Sequence, residues 1–214
     1  MIDFLHNNFG YLLSGISVGG QYALIAIGYT MVYGIAKMLN FAHGDVIMIG
    51  AYTIFATVSM EGLPPVLGIL LSVVLCTLLG IAIEAIAYRP LRQASSSLVV
   101  LITAIGVSYF LQNIALLIFG ANTKAFTSVV NVPSLSLAGG QITISGETIV
   151  TILSCIVIMI GLTLFVNKTK AGQAMLAVSE DKGAAQLMGI NVNGTISLTF
   201  AIGSALAAIA GMLL

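Results

Sequence analysis

His43 and Asp45 stand one residue apart in the run Asn40-Phe41-Ala42-His43-Gly44-Asp45. An imidazole beside a carboxylate can hold a metal ion or relay a proton, but both tasks need a further group. A lone His-Gly-Asp offers no third ligand and no nucleophile. The chain also lacks a G-x-x-x-x-G-K-[ST] phosphate loop, an H-E-x-x-H pair and a G-x-S-x-G elbow. Enzyme chemistry has no set of residues to run on, and no cofactor or metal is expected on this chain. The other polar residues of interest sit in apolar surroundings: Gln21 after Gly19-Gly20, Glu84 ahead of Arg89 and Arg92, and Gln112-Asn113. Such groups are costly to desolvate, so each needs a partner or a task.

Composition dictates the elements that position them. Of 214 residues, 59% are hydrophobic and 7% charged, and the mean hydropathy is +1.12. Soluble domains carry about 25% charged residues, so most of this chain belongs in a lipid bilayer. A formal net charge of zero withholds the basic field that nucleic acid requires. Cys76 and Cys155 lie in apolar segments and read as small buried hydrophobes rather than a disulfide. Six stretches approach the ~20 residues needed to cross the hydrocarbon core: 9–34, 41–60, 66–88, 98–119, 148–166 and 196–214. Backbone groups in lipid must be satisfied internally, so the expected fold is an all-α polytopic membrane protein. The second stretch opens on His43 and Asp45 and is the weakest; it either crosses or enters as a re-entrant segment. The first is too long for a signal peptide, so the N-terminus is expected to stay.

Lys and Arg set the orientation. With the N-terminus outside, Lys37, Arg89, Arg92, Lys168, Lys170 and Lys182 fall on the cytoplasmic side and only Lys124 outside. The outer loop 120–147 alternates through Ser134-Leu135-Ser136-Leu137, passes Ala138-Gly139-Gly140-Gln141 and resumes as Ile142-Thr143-Ile144-Ser145. That pattern fits a short β-hairpin or a plain connector.

Several residues carry two readings. Gly15 and Gly19 form a G-x-x-x-G that lets helices approach closely, while Gly19-Gly20-Gln21 near the midplane is also suited to unwound backbone lining a substrate path. Asp45 fits a helix N-cap, with a gate or pathway role shared with Asn40 and His43 as the alternative. Glu84 fits an ion pair with Arg89 or Arg92, or else a transport carboxylate. Gln112 and Asn113 fit interhelical hydrogen bonds, with Gln112 also a candidate for the path. Gly203, Ala207 and Gly211 recur every fourth residue and mark a close helix contact, within the chain or with a second subunit.

The stretch 167–195 differs from the rest in bearing charge. It reads as a short helix–turn–helix: Gly172 near its start, Met175, Leu176 and Val178 and then Leu187 and Met188 at amphipathic spacing, with Glu180-Asp181 between them and Gly183-Ala184-Ala185 followed by Gly189. Compact side chains of this kind suit insertion into a groove on a cytoplasmic partner. The Ala184-Ala185-x-x-x-Gly189 core resembles the EAA loop of ABC-importer permeases, with Gly183 where many relatives have Glu and Leu176 where an Arg is usual. Three further stretches narrow the likeness: Gly20-Gln21-Tyr22-Ala23-Leu24-x-Ala26-x-Gly28, Val32-Tyr33-Gly34 through Asn40-Phe41-Ala42-His43-Gly44-Asp45, and Tyr88-Arg89-Pro90-Leu91-Arg92. Together they resemble the H-type permease subunit of the high-affinity leucine/isoleucine/valine ABC importers, along essentially the whole chain.

The resemblance implies a machine. It would comprise a homologous second permease subunit, two cytoplasmic ATP-binding subunits that consume ATP, and a periplasmic amino-acid-binding protein, all at the bacterial inner membrane. It also implies further spans beyond the sixth. Coupling would run through Gly172, Glu180, Asp181, Gly183, Ala184, Ala185 and Gly189. Related permeases carry urea, short-chain amides or other amino acids, and a channel or secondary transporter is the reading from another class.

Overall fold

The computed structural model describes residues 2–92, 97–124, 133–137 and 142–213. Helix α1 (Ile2–Ala36) is followed by α2 (His43–Ile54), α3 (Pro65–Ile83), α4 (Ser97–Phe119), α5 (Gly146–Lys168), two short helices α6 (Lys170–Glu180) and α7 (Lys182–Leu187), and α8 (Val192–Leu213). Five helices among the described residues are long and apolar enough to cross a membrane: Gly10–Ala36, Pro65–Leu91, Leu98–Phe119, Gly146–Lys168 and Val192–Leu213.

The second expected stretch, 41–60, is the one that does not qualify. The helix begins at His43 rather than Phe41, and His43 and Asp45 keep it from qualifying on composition alone. Its α-helical part continues as a π-helical turn, Phe55–Met60. The whole nevertheless runs antiparallel beside α3. Cys76 Sγ lies 3.5 Å from the Val46 carbonyl, Ser72 Oγ donates to the Gly50 carbonyl at 2.9 Å, and Gly68 abuts Thr57 and Val58. Midway along the segment Tyr52 stacks on Phe119, the last residue of α4, with ring centroids 4.4 Å apart. The segment therefore runs alongside α3 from Val46 to Val58 without turning back on itself.

Helix α8 is the centre of the packing. Buried residues make up 67% of its most apolar stretch, against 11–28% for the other four spans. Its small-residue stripe faces the chain itself: Gly203 meets Val32 and the Gly28 carbonyl on α1, Ala207 is buried, and Gly211 meets the Ile47 carbonyl on α2. Small side chains let these backbones approach where lipid supplies no hydrophobic drive. Gly80 on α3 lies so close to Ser204 that a Cβ there would overlap it.

Helix α1 passes unbroken through Gly19-Gly20-Gln21, and neither glycine takes a positive φ. The unwound-backbone reading is thereby overturned. Gly20 instead packs on Cys155 of α5, and Gln21 Nε2 donates to the Leu213 carbonyl, which fastens α1 to α5 and α8. A Cβ added at Gly15 or Gly19, by contrast, would meet nothing outside its own helix within 4 Å among the described residues. The close approach that their spacing suggested is made by Gly20 and Gly28.

In the outer loop, β1 (Leu135–Leu137) pairs antiparallel with β2 (Ile142–Ile144), Leu135 opposite Ile144. The expected turn at 138–141 lies outside the described residues.

Candidate functional site

Two assemblies of polar groups stand out, one within the bundle and one at the end that carries α6 and α7.

The first begins where α1 stops. Asn40 is buried, and its Oδ1 accepts from the Tyr88 hydroxyl at 3.1 Å. His43 is buried beside Gly28 and edge-on to Tyr29, with ring centroids 5.9 Å apart; a side chain at Gly28 would strike the imidazole. Asp45 is buried too. Its Oδ1 accepts from Gln112 Nε2 at 2.9 Å, which ties α2 to α4. Asp45 is not the N-cap of α2: that position is Ala42, without a side-chain cap bond. A carboxylate in the first turn still favours the helix dipole, but its hydrogen bond has gone across to α4. Two buried atoms here, His43 Nε2 and Asp45 Oδ2, have no partner. Asn113 Nδ2 turns back to the Tyr109 carbonyl of its own helix. Among the described residues no group of three His, Cys, Asp or Glu could hold a metal. Asn40, His43 and Asp45 are thus buried within the bundle, Gln112 reaches Asp45 from an exposed position on α4, Gln21 is engaged near the other end, and Gly19 faces away.

The second assembly is a clamp around Glu84. A π-helical turn, Glu84–Tyr88, closes α3. In π geometry residues five apart come into line, and Arg89 accordingly pairs with Glu84, Nη2 to Oε2 at 2.9 Å. Arg92 pairs with the other carboxylate oxygen and also donates to Asn193. The Ser197 hydroxyl donates to Glu84 Oε2 at 2.6 Å. One fully buried carboxylate so joins the end of α3 to the start of α8. Of the two alternatives for this residue, the geometry fits the ion pair, with both arginines at once.

Between α5 and α8 hangs the helix–turn–helix. Thr169 starts α6: its hydroxyl accepts from the Gly172 amide at 3.0 Å and donates to the Phe165 carbonyl at 2.7 Å. Gly172 lies so close to the Phe165 and Val166 carbonyls that no Cβ fits. Asp181 caps α7 through the Gly183 and Ala184 amides at 2.7 and 3.0 Å. Helix α7 ends in a Schellman motif: Ile190 N–H donates to the Ala185 carbonyl, Gly189 N–H to that of Gln186, and Gly189 takes φ +82°. Met175, Val178 and Ala185 face inward, buried. Lys182 Nζ donates to the Ala36 carbonyl at 2.7 Å, an unpaired carbonyl at the end of α1. The unit is thus held to the ends of α1, α5 and α8.

The residues singled out for coupling divide accordingly. Gly172 and Ala185 face the bundle, Asp181 caps, and Glu180, Gly183, Ala184 and Gly189 are exposed. Beside them Leu187 and Met188 are 90% and 82% exposed. Sequence reasoning placed these two on an amphipathic helix without telling which way they point. It gave no sign of the Lys182–Ala36 tie, a contact across 146 positions.

The family profile for the branched-chain amino acid transport system permease component matches residues 11–214. The high-affinity branched-chain amino acid transport system permease protein BraD of Pseudomonas aeruginosa is 43% identical, over 95% of this chain and 69% of that protein. LivH of Escherichia coli K12 and LivH of Salmonella typhimurium, described in the same words, are 41% and 40% identical over the same shares. No solved structure matches the chain. With a bundle of long apolar helices, a family profile that matches residues 11–214 and relatives this similar over 95% of its length, the chain belongs to the family of branched-chain amino acid transport permeases.

Proposed function

We propose that the chain is the membrane-spanning permease of an ABC importer for branched-chain amino acids. In this reading, ATP-binding subunits on the cytoplasmic side drive it through α6 and α7. The observation that carries the reading is the placement of that unit. It is anchored to α1, α5 and α8 while Leu187 and Met188 project outward. Large apolar side chains exposed at the tip of a rigid loop fit a groove on another protein. A push on that tip reaches three spans at once.

The same geometry supports one orientation. The ends of α1 and α3, the start of α8 and the α6–α7 unit lie together, joined by Lys182–Ala36 and Arg92–Asn193. Six of the seven Lys and Arg fall on this side or its adjoining loops, which by the positive-inside rule makes it cytoplasmic. The N-terminus and the β1–β2 ribbon are then periplasmic, where a substrate-binding protein delivers its cargo. A second, homologous permease subunit completes the pathway. Within this chain, Asn40, His43, Asp45 and Gln112 supply its polar wall, and the apolar residues around them suit a branched aliphatic substrate.

The test is uptake into proteoliposomes containing the intact transporter. Leucine, isoleucine or valine should accumulate only with ATP and the binding protein present. Uptake that runs without ATP, or that follows an ion gradient, would overturn the reading in favour of a secondary transporter.

A further inference from the structure

At the cytoplasmic ends of α1, α4 and α7 lies a pocket of about 550 Å³ that the transport reading leaves unused. Its polar lining is Tyr33, Lys37, Arg92 and Lys182, and residues such as Leu39 and Leu101 line its apolar part. Three cations thus converge on one cavity. Among the described residues, the ion pairs all run to Glu84, which answers Arg89 and Arg92 and leaves Lys37 and Lys182 without an acidic partner. Arg92 also keeps its Nε buried and unpartnered. Burial first, then the charges of Arg92 and Lys37, push the Lys182 amine below its ordinary pKa, so the cations repel one another. Assembling like charges in this way is unfavourable unless an anion joins them.

We propose that this pocket binds the phosphodiester headgroup of an anionic phospholipid, with Lys37, Arg92 and Lys182 as its counter-charges. The position argues for a lipid. The cavity sits where helices emerge from the hydrocarbon, charged on one side and apolar on the other, and so matches an amphiphile. Guanidinium and ammonium groups are the usual phosphate donors, and basic pockets between spans on the cytoplasmic face bind acidic headgroups. A zwitterionic lipid brings a cation of its own and fits less well. Bound there, the lipid would brace Lys182, whose ammonium already holds α7 to the end of α1.

The experiment is class-resolved quantification of phospholipids that co-purify with the intact permease in mild detergent after extensive washing. The wild type should retain anionic over zwitterionic lipid relative to the bulk membrane. Retention should fall about fivefold for each cation removed, in Lys37→Gly and in Lys182→Gln. Lys37 takes φ +57°, a left-handed backbone that glycine adopts freely, so Lys37→Gly removes the charge without loosening the fold. Lys182→Arg, which keeps the charge, and Lys124→Gln, at the other end of the bundle, should both retain the lipid. Unchanged retention in Lys37→Gly and Lys182→Gln overturns the proposal. So does displacement of the lipid by millimolar inorganic phosphate, which marks a soluble-anion site, or its loss once ATP-binding subunits dock, which marks a partner's carboxylate.

Discussion

The hydroxyl of Ser197 and the carboxylate of Glu84 lie 2.6 Å apart, although 113 positions separate them in the chain. Glu84 is fully buried and also holds Arg89 and Arg92. The cluster pins the end of the third helix to the start of the eighth, next to the unit on which we expect ATP-binding subunits to push.

Removing that carboxylate leaves the Arg92 guanidinium, itself largely buried, with no acidic partner among the described residues. Breaking one partner of a buried pair costs about 3–5 kcal/mol. Glu84→Ala should therefore lower the thermal stability of the detergent-solubilised protein strongly. Arg89→Ala should do far less, because that side chain is 45% exposed. Equal losses in the two variants would mean that the cluster does not depend on burial.

Lys37→Gly should stabilise the chain. A non-glycine residue in the left-handed region costs about 1–2 kcal/mol, and Lys37 occupies it at φ +57°. A melting temperature at or below that of the wild type would show that other contacts of Lys37 outweigh the strain.

Glycines should separate into two groups. Gly172→Ala drives a methyl into the Phe165 and Val166 carbonyls and should disrupt the joint between α5 and α6, abolishing uptake. Gly15→Ala and Gly19→Ala meet nothing within 4 Å and should raise helix stability by about 0.5–1 kcal/mol each. If instead these two variants release a second permease subunit on purification, their face of α1 is the contact between subunits.

Among the described residues Gln112 makes the one side-chain hydrogen bond to Asp45, whose other oxygen has no partner, and Gln112→Leu removes it. A buried group left unsatisfied costs about 1–3 kcal/mol. We expect a destabilised protein whose stability Asp45→Leu largely restores in the double variant, measured by thermal unfolding. A double variant no more stable than Gln112→Leu alone would place the Asp45 contribution elsewhere.

Much of this was legible in the sequence. Long apolar runs fix helices because lipid leaves the backbone no other partner, and the small residues Gly203, Ala207 and Gly211 announced a close contact without naming its partner. Gly183-Ala184-Ala185 and Gly189 pointed to a turn between two short helices, without showing that Asp181 caps the second. Asp45 misled because a carboxylate near a helix start has two uses, and only the position of Gln112 on another helix decides between them. Gly19-Gly20 misled for a related reason: glycine permits unwinding but does not compel it, and packing on Cys155 keeps α1 helical. Long-range ties such as Lys182 to the Ala36 carbonyl leave no local pattern to read.

The most direct test of the coupling claim is co-purification of the ATP-binding subunits with the permease carrying Leu187→Asp and Met188→Asp together. Both side chains are nearly fully exposed, so the variant should fold and insert as the wild type does. The account predicts that the ATP-binding subunits co-purify with the wild type and are lost from the double variant. Full retention by a properly folded double variant would contradict it.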